Sequence, residues 1–337
     1  MENAVVRKGL LSGVAIACAL GAAPAVAQTE LSLGHFMPPR HTMHGGVFEP
    51  WAQQVEEITD GEVTVRIFPA GELGAGPAQQ YNRAVDGIAD ITFGLQGYTS
   101  STFPRTLMTE LPGLFDDAFE ATDAVWDNYD LIAPDYERVH VYGVWFNSPA
   151  VIATTETPVT SLEDLDGLTI RAPSALGAQV LEAWGASAVT MPVSELYNAL
   201  QTGVIDGVMI GPDGIRSFRL NEVVSHVTTG LPTGLTSFFL VGNRDTWDGL
   251  SPEQQAEIEE ISGRALSMAG TQAYDGAREA AYALFAEDDS TDVIELSAEE
   301  SARWLDALAP VYEHAVAERE ADGVNAQDIL DAYREAS

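Results

Sequence analysis

The sequence predicts an α/β protein of two lobes hinged as a clamshell, and three observations lead there. Strand-like runs alternate with helix-like runs through most of the chain, the pattern of largely parallel sheets covered by helices. The chain has 337 residues, more than one hydrophobic core usually fills. The order of the runs also carries the chain from one βαβ set to a second and back, so the lobes share more than one connection and can close by hinge motion.

Residues 1–27 read as an export signal: Arg7 and Lys8, then the apolar "GLLSGVAIACALGAA", then "AVA" at 25–27 as a small-x-small cleavage site. The single cysteine, Cys18, falls inside it. A mature chain beginning at Gln28 would carry no disulfide, thiol nucleophile or thiolate metal site. No later stretch approaches the roughly 20 apolar residues of a spanning helix, so the expected product is a periplasmic protein without direct membrane insertion.

The first lobe is expected over 28–147. "ELSLGHF" alternates as a strand, and "GGVFEPWAQQVEEIT" places Val47, Trp51, Val55 and Ile58 at helical spacing. "GEVTVRIFPAGELG" gives a strand and turn, "GPAQQYNRAVDG" a helix and "IADITFGL" a short buried strand. The second lobe is expected over 148–235, entered through "HVYGVWFNSPAVIATT", whose Asn-Ser-Pro turn can serve as a hinge. It continues with "SLEDLDGLTIR", the helix "ALGAQVLEAWGA", the strand "AVTMP", the helix "VSELYNALQTG" and the strand "IDGVMIG". "TSFFLVGN" then returns to the first sheet, within a first-lobe segment of residues 236–272. From Ser251 onward the chain reads as mostly helical, with Ser251-Pro252 as a helix start and a kink at Pro310. The helices of 273–337 are expected on the second lobe.

A formal net charge of −35 and a pI near 4.1 argue against nucleic acid or an anionic membrane as partner. With 46% hydrophobic residues the chain is not of the disordered type, and the acidic excess reads as a solubility feature. The sequence holds no Walker loop, GxSxG elbow, GxGxxG turn or HExxH pair. His35, His41 and His44 have no metal-ligand spacing and read as loop residues. No catalytic residue, metal or cofactor is assigned, and an enzyme is not expected.

Arg171, in "DLDGLTIRAP", ends an apolar strand-like run. Burying a guanidinium without a partner costs several kcal/mol. Its planar fork suits a carboxylate, and strand C-termini are where open α/β sheets place ligands. The partner is either an acid of the chain, Asp164 or Asp166, or an anion from outside. Aromatic residues gather near the strand ends and lobe junctions: Phe36, Phe93, Tyr98, Trp145, Phe146, Phe238 and Phe239. Together they point to a partly apolar cleft, with Gln96 and Asn147 as orienting polar groups.

The order "SLEDLDGLTIRAP", "WGASAVTMPVSELYNALQTGVIDG", "SFFLVGNRDTWDGLSPEQQ", preceded by "FPAGELG", "AVDGIADITFG" and "GYTSSTFPRTLMTELPGLF", resembles the solute-binding proteins of tripartite ATP-independent periplasmic (TRAP) transporters. The likeness spans nearly the whole mature chain. It implies two α/β lobes, a long helix across both, and one ligand closed between them. It also implies that Arg171 grips the ligand carboxylate, and that the loaded protein docks on the small and large membrane subunits of the transporter, with no ATP used by the receptor.

Where many members have a carboxylate-binding asparagine this chain has Ile210 and Gly211, so a backbone N–H of Gly211 is a candidate replacement. Val151 stands where sialic-acid binders carry a second arginine, and Phe36 and the Leu95-Gln96 region replace polar first-lobe positions. The expected ligand is therefore a monocarboxylate with an apolar or aromatic body, or a 2-oxo acid, contacted by Arg171, Trp145, Asn147, Phe36, Gln96, Gly211 and Phe238. The alternatives are a C4-dicarboxylate ligand, or a sensor module that reports to a receptor.

Overall fold

A computed structural model describes residues 28–287 and 291–336; the expected export signal and Cys18 lie outside the described residues. In chain order the strands are β1 (Thr29–Gly34), β2 (Val63–Phe68), β3 (Ile91–Leu95), β4 (Val139–Phe146), β5 (Val151–Thr154), β6 (Thr169–Ala172), β7 (Ser187–Thr190), β8 (Gly207–Ile210), β9 (His226–Thr229), β10 (Ser237–Asn243) and β11 (Asp292–Glu295). They form two sheets, ordered β2-β1-β3-β10-β4 and β11-β9-β5-β8-β6-β7. Each sheet is the centre of one lobe.

Sequence character explains the sheet positions. β10 is buried at every residue and lies between β3 and β4, antiparallel to both. A strand covered on both faces reads as a nearly continuous apolar run, which "SFFLV" is. It is the expected return strand. In the second sheet β6 runs parallel to β7 and β8, and β5 runs antiparallel to β8 and β9. The chain crosses between sheets at 147–150, after β4, and again at 230–236, before β10.

A long helix, Gly263–Glu287, ties the lobes together. It lies on β4 and the helix Ala118–Asp127 at one end, and on the helix Pro212–Ser217 and β11 toward the other. Close approach to β4 depends on Gly270, where an added Cβ would stand 2.7 Å from the Trp145 ring. Ser267 Oγ also accepts the Val144 N–H at 3.0 Å. Ser251 caps the helix Pro252–Glu260 through a capping box with Gln254, as its Ser-Pro start predicts.

Four details differ from the expectation. β9 has no counterpart in the predicted elements. The 292–295 stretch is a strand rather than helix: its β-branched pair, Val293 and Ile294, suits a short edge strand beside β9. Pro310 kinks nothing, because the helix Ala298–Asp306 has already ended and Pro310 sits in the first turn of the next, Ala309–Ala321, where its missing N–H leaves no bond unmade. The C-terminal helices are also shared between lobes. Trp184 Nε1 donates to the Trp304 carbonyl at 2.9 Å on the second-lobe side, whereas the last helix, Ala326–Ala336, meets the first lobe, with Tyr333 edge-on to Phe115.

At the second crossing, buried Glu110 accepts both the N–H and the Oγ–H of Ser237, at 2.8 and 2.6 Å. Burial pushes its carboxyl up from 4.5 to about 7, against the opposing pull of the Ser237 bonds and the Arg319 charge. A folded-state pKa above the unfolded one means the unfolded chain releases the proton first, so stability is lost as pH rises from about 4.5 through 7. Glu110→Gln keeps a neutral acceptor for Ser237. The variant is expected to gain thermal stability on the wild type between pH 5 and pH 8; parallel melting curves across that range would show that Glu110 does not titrate in this window.

Candidate ligand-binding site

Arg171 lies in the short, buried β6 and is 2% exposed. The neighbouring strands supply its acceptors. Nε donates to the Met191 carbonyl just beyond β7 at 2.9 Å, and Nη1 to the Met209 carbonyl of β8 at 3.2 Å. Nη2 reaches the Tyr98 hydroxyl from the first lobe at 3.4 Å. No carboxylate stands among these partners, and burial lowers the guanidinium's pKa with only Tyr98 acting against it. Asp164 is engaged elsewhere, accepting the N–H groups of Thr160 and Ser161 at 2.8 and 3.0 Å. Of the five N–H bonds of a guanidinium, one on each terminal nitrogen is left without a protein acceptor among the described residues.

Arg171 borders a cavity between the lobes, whose empty space measures about 490 Å³ with its open mouth included. Its walls are aromatic and aliphatic: Phe36, Tyr98, Phe218, Phe238 and Tyr274, with Leu95 and Ile210. The rings are fixed by stacking beneath the surface. Phe93 lies parallel to Phe238 at 5.4 Å, and Phe238 stacks on Tyr274 at 4.9 Å.

A second polar group faces the same space. Asp213, in the first turn of Pro212–Ser217, is buried, and its Oδ2 lies 3.7 Å from His41 Nε2. Burial raises Asp213 to about 7 and lowers His41 to about 3. His41 is therefore a neutral ring near neutral pH, not a second cation. The tight packing here explains Gly211, where a Cβ would stand 2.7 Å from Asn147 Nδ2 and 2.8 Å from Asp213 Oδ1.

The structure brings together five of the seven residues singled out in the sequence: Arg171, Asn147, Phe36, Gly211 and Phe238 all line the cavity. Trp145 and Gln96 do not. Trp145 is fully buried under Gly270 and stacked on Phe93, because its large ring fills the space beneath the long helix. Gln96 is also fully buried and donates to the Tyr136 hydroxyl at 2.8 Å. His35 and His41 lie in the loop after β1, as expected, but both are buried and only His41 reaches the cavity, while His44 starts the helical turn His44–Phe48. Among the described residues no group of three or more His, Cys, Asp or Glu side chains is placed to hold a metal ion.

Sequence reasoning passed over Asp213, although it lies two positions beyond Gly211 in "DGVMIGPDG". Tyr274 and Phe218 gave no local signal, since nothing about a tyrosine in a long amphipathic helix tells which turn faces a cleft.

Residues 33–319 match the bacterial extracellular solute-binding protein family 7. The chain belongs to this family. Its relatives include the C4-dicarboxylate-binding periplasmic protein DctP of Rhodobacter capsulatus, 27% identical over 92% of this chain and 93% of that protein. Among solved structures, a marine metagenome TRAP solute-binding protein specific for aromatic acid ligands, in complex with 3-hydroxybenzoate, superposes with a TM-score of 0.88 at 28% identity, covering 92% of this chain and 98% of that one. A TRAP solute-binding protein of Bordetella bronchiseptica with bound (R)- and (S)-mandelate gives 0.83 at 28% identity, covering 91% and 98%. The protein is thus a TRAP solute-binding receptor; the family and its structural neighbours are periplasmic receptors rather than enzymes, which bind small-molecule ligands and deliver them to membrane components. No helix among the described residues is long and apolar enough to cross a membrane.

The lobes of this receptor are latched across the cavity. The Tyr98 hydroxyl accepts the Val193 N–H at 3.0 Å in addition to its contact with Arg171, and Arg40 donates to the Ser217 carbonyl at 3.0 Å. Tyr98→Phe would orphan the Val193 N–H in the closed arrangement, a cost of about 1–3 kcal/mol. The variant is expected to show a larger radius of gyration by small-angle X-ray scattering than the wild type in the same ligand state. Identical scattering would place the latch in other contacts.

Proposed function

We propose that the protein is the receptor for a monocarboxylate with an aromatic or apolar body, an aryl acid or a 2-oxo acid, whose carboxylate is held by Arg171. The carrying observation is the guanidinium itself: buried, fixed by the Met191 and Met209 carbonyls, and without a carboxylate of the chain. A guanidinium in that state is incomplete, and an entering carboxylate completes it with charge-assisted bonds strengthened by exclusion of water. The aromatic walls favour a flat apolar body.

A dicarboxylate fits less well. Beyond Arg171, the titratable groups at the cavity are Asp213, the tyrosines and the neutral ring of His41, so a second carboxylate would lack a cation and approach an acid. The mandelate and hydroxybenzoate ligands of the two similar structures support the aryl-acid reading. The same chemistry would serve a sensor module; the family's transport role favours delivery to the small and large membrane subunits of a TRAP transporter.

Titration calorimetry of benzoate, mandelate, pyruvate and succinate on the purified protein tests the reading. At least one monocarboxylate is expected to bind more tightly than succinate, and Arg171→Ala is expected to lose about 3–5 kcal/mol of that affinity. Tighter binding of succinate than of every monocarboxylate, or unchanged affinity in Arg171→Ala, would overturn it.

A further inference from the structure

Besides Arg171, the cavity carries a second set of polar groups that lie together as one pole. Its three members come from three separate elements: His41 from the loop after β1, Asp213 from the helix Pro212–Ser217, and Tyr274 from the long helix. The Tyr274 hydroxyl is buried and without a hydrogen-bond partner, although the residue is only 2% exposed. Buried hydroxyls are seldom left so. The His41 and Tyr274 rings meet edge to face at 6.0 Å, which holds both against the same space.

The donor and acceptor pattern is legible. His41 Nδ1 accepts the Met43 N–H at 3.2 Å, so the neutral ring carries its proton on Nε2. That N–H faces Asp213 Oδ2 at 3.7 Å, beyond hydrogen-bond length. The pole thus presents one N–H donor, one carboxyl acceptor and one hydroxyl able to act either way.

We propose that Asp213, His41 and Tyr274 form a subsite for a hydroxyl group on the body of the carboxylate ligand. The inference rests on the carboxylate reading above, and deepens it to hydroxylated acids as the preferred class. A hydroxyl matches the pole because it donates to Asp213 while accepting from His41 Nε2–H or Tyr274 O–H. An aromatic amine, chiefly a donor because its lone pair is delocalised into the ring, would face the His41 N–H. A second carboxylate, which only accepts, would face Asp213.

Matched dissociation constants decide it: benzoate against 2-, 3- and 4-hydroxybenzoate, with the three aminobenzoates and the three benzenedicarboxylates alongside, on the wild type, Asp213→Asn and Tyr274→Phe. At least one hydroxy isomer is expected to bind about tenfold or more tighter than benzoate. In either variant that ratio is expected to fall several-fold toward one. Benzoate binding with no hydroxyl preference at any position, or a stronger preference for an amino or second carboxylate group, would overturn the subsite while leaving the carboxylate reading intact. A hydroxyl preference unchanged in both variants would overturn it too. Failure of every benzoate derivative to bind would overturn the subsite, and the carboxylate reading falls with it only if mandelate and pyruvate fail as well. The wild-type comparison alone is decisive should the variants fail to fold.

Discussion

Everything at the centre of this receptor depends on one buried guanidinium that the chain itself does not neutralise. Removing Arg171 from water without a counter-charge opposes folding, and the structure offsets this with main-chain dipoles. Met191 and Met209 present their carbonyls because β7 and β8 flank β6 on either side. The sheet order is therefore a requirement of the site. It also aims the fork, since the nitrogens that these carbonyls occupy fix which N–H bonds remain open toward the cleft.

Closure bears on the same constraint. Tyr98 brings a first-lobe hydroxyl to the second-lobe arginine and to the Val193 N–H, so the two lobes share the polar groups that water would otherwise solvate. The long helix and the shared C-terminal helices hold the lobes in one frame, and two short crossings at 147–150 and 230–236 join their sheets. A ligand shifts an equilibrium between open and closed arrangements only by binding the two forms differently. Under the proposed reading a carboxylate held by the second-lobe Arg171 and packed against first-lobe rings would do so, because both sets of contacts meet in the arrangement described.

Much of the fold was legible because it rests on local patterns. The buried run "SFFLV" announced a central strand, Ser251-Pro252 announced a cap, and the alternation of strands and helices announced the two sheets. β11 was not legible, since a four-residue edge strand carries almost no periodicity, and Pro310 is as compatible with a helix start as with a kink. At the site, Arg171 stood out because an isolated cation at a strand end is conspicuous in an acidic chain. The aromatic residues did not sort themselves: Phe238 and Trp145 lie on neighbouring strands of one sheet, and only the long helix, through Gly270, decides that Trp145 is covered. Asp213 was hidden among 51 acids, and its distinction, burial beside His41, is purely tertiary.

The overall charge of −35 raises the question of how an acidic protein would take up the anion proposed for it. Range separates the two effects. At physiological ionic strength the Debye length is about 8 Å, so exposed acids distributed over the surface are largely screened from an approaching carboxylate. Within the cleft the screening is weaker, and the nearest full charge a ligand meets is the Arg171 guanidinium. Asp213, the acid that lines the cavity, is one whose ionisation burial opposes. The surface charge and the site charge can therefore have opposite signs without conflict: the first governs how the protein behaves among its neighbours, the second what it holds.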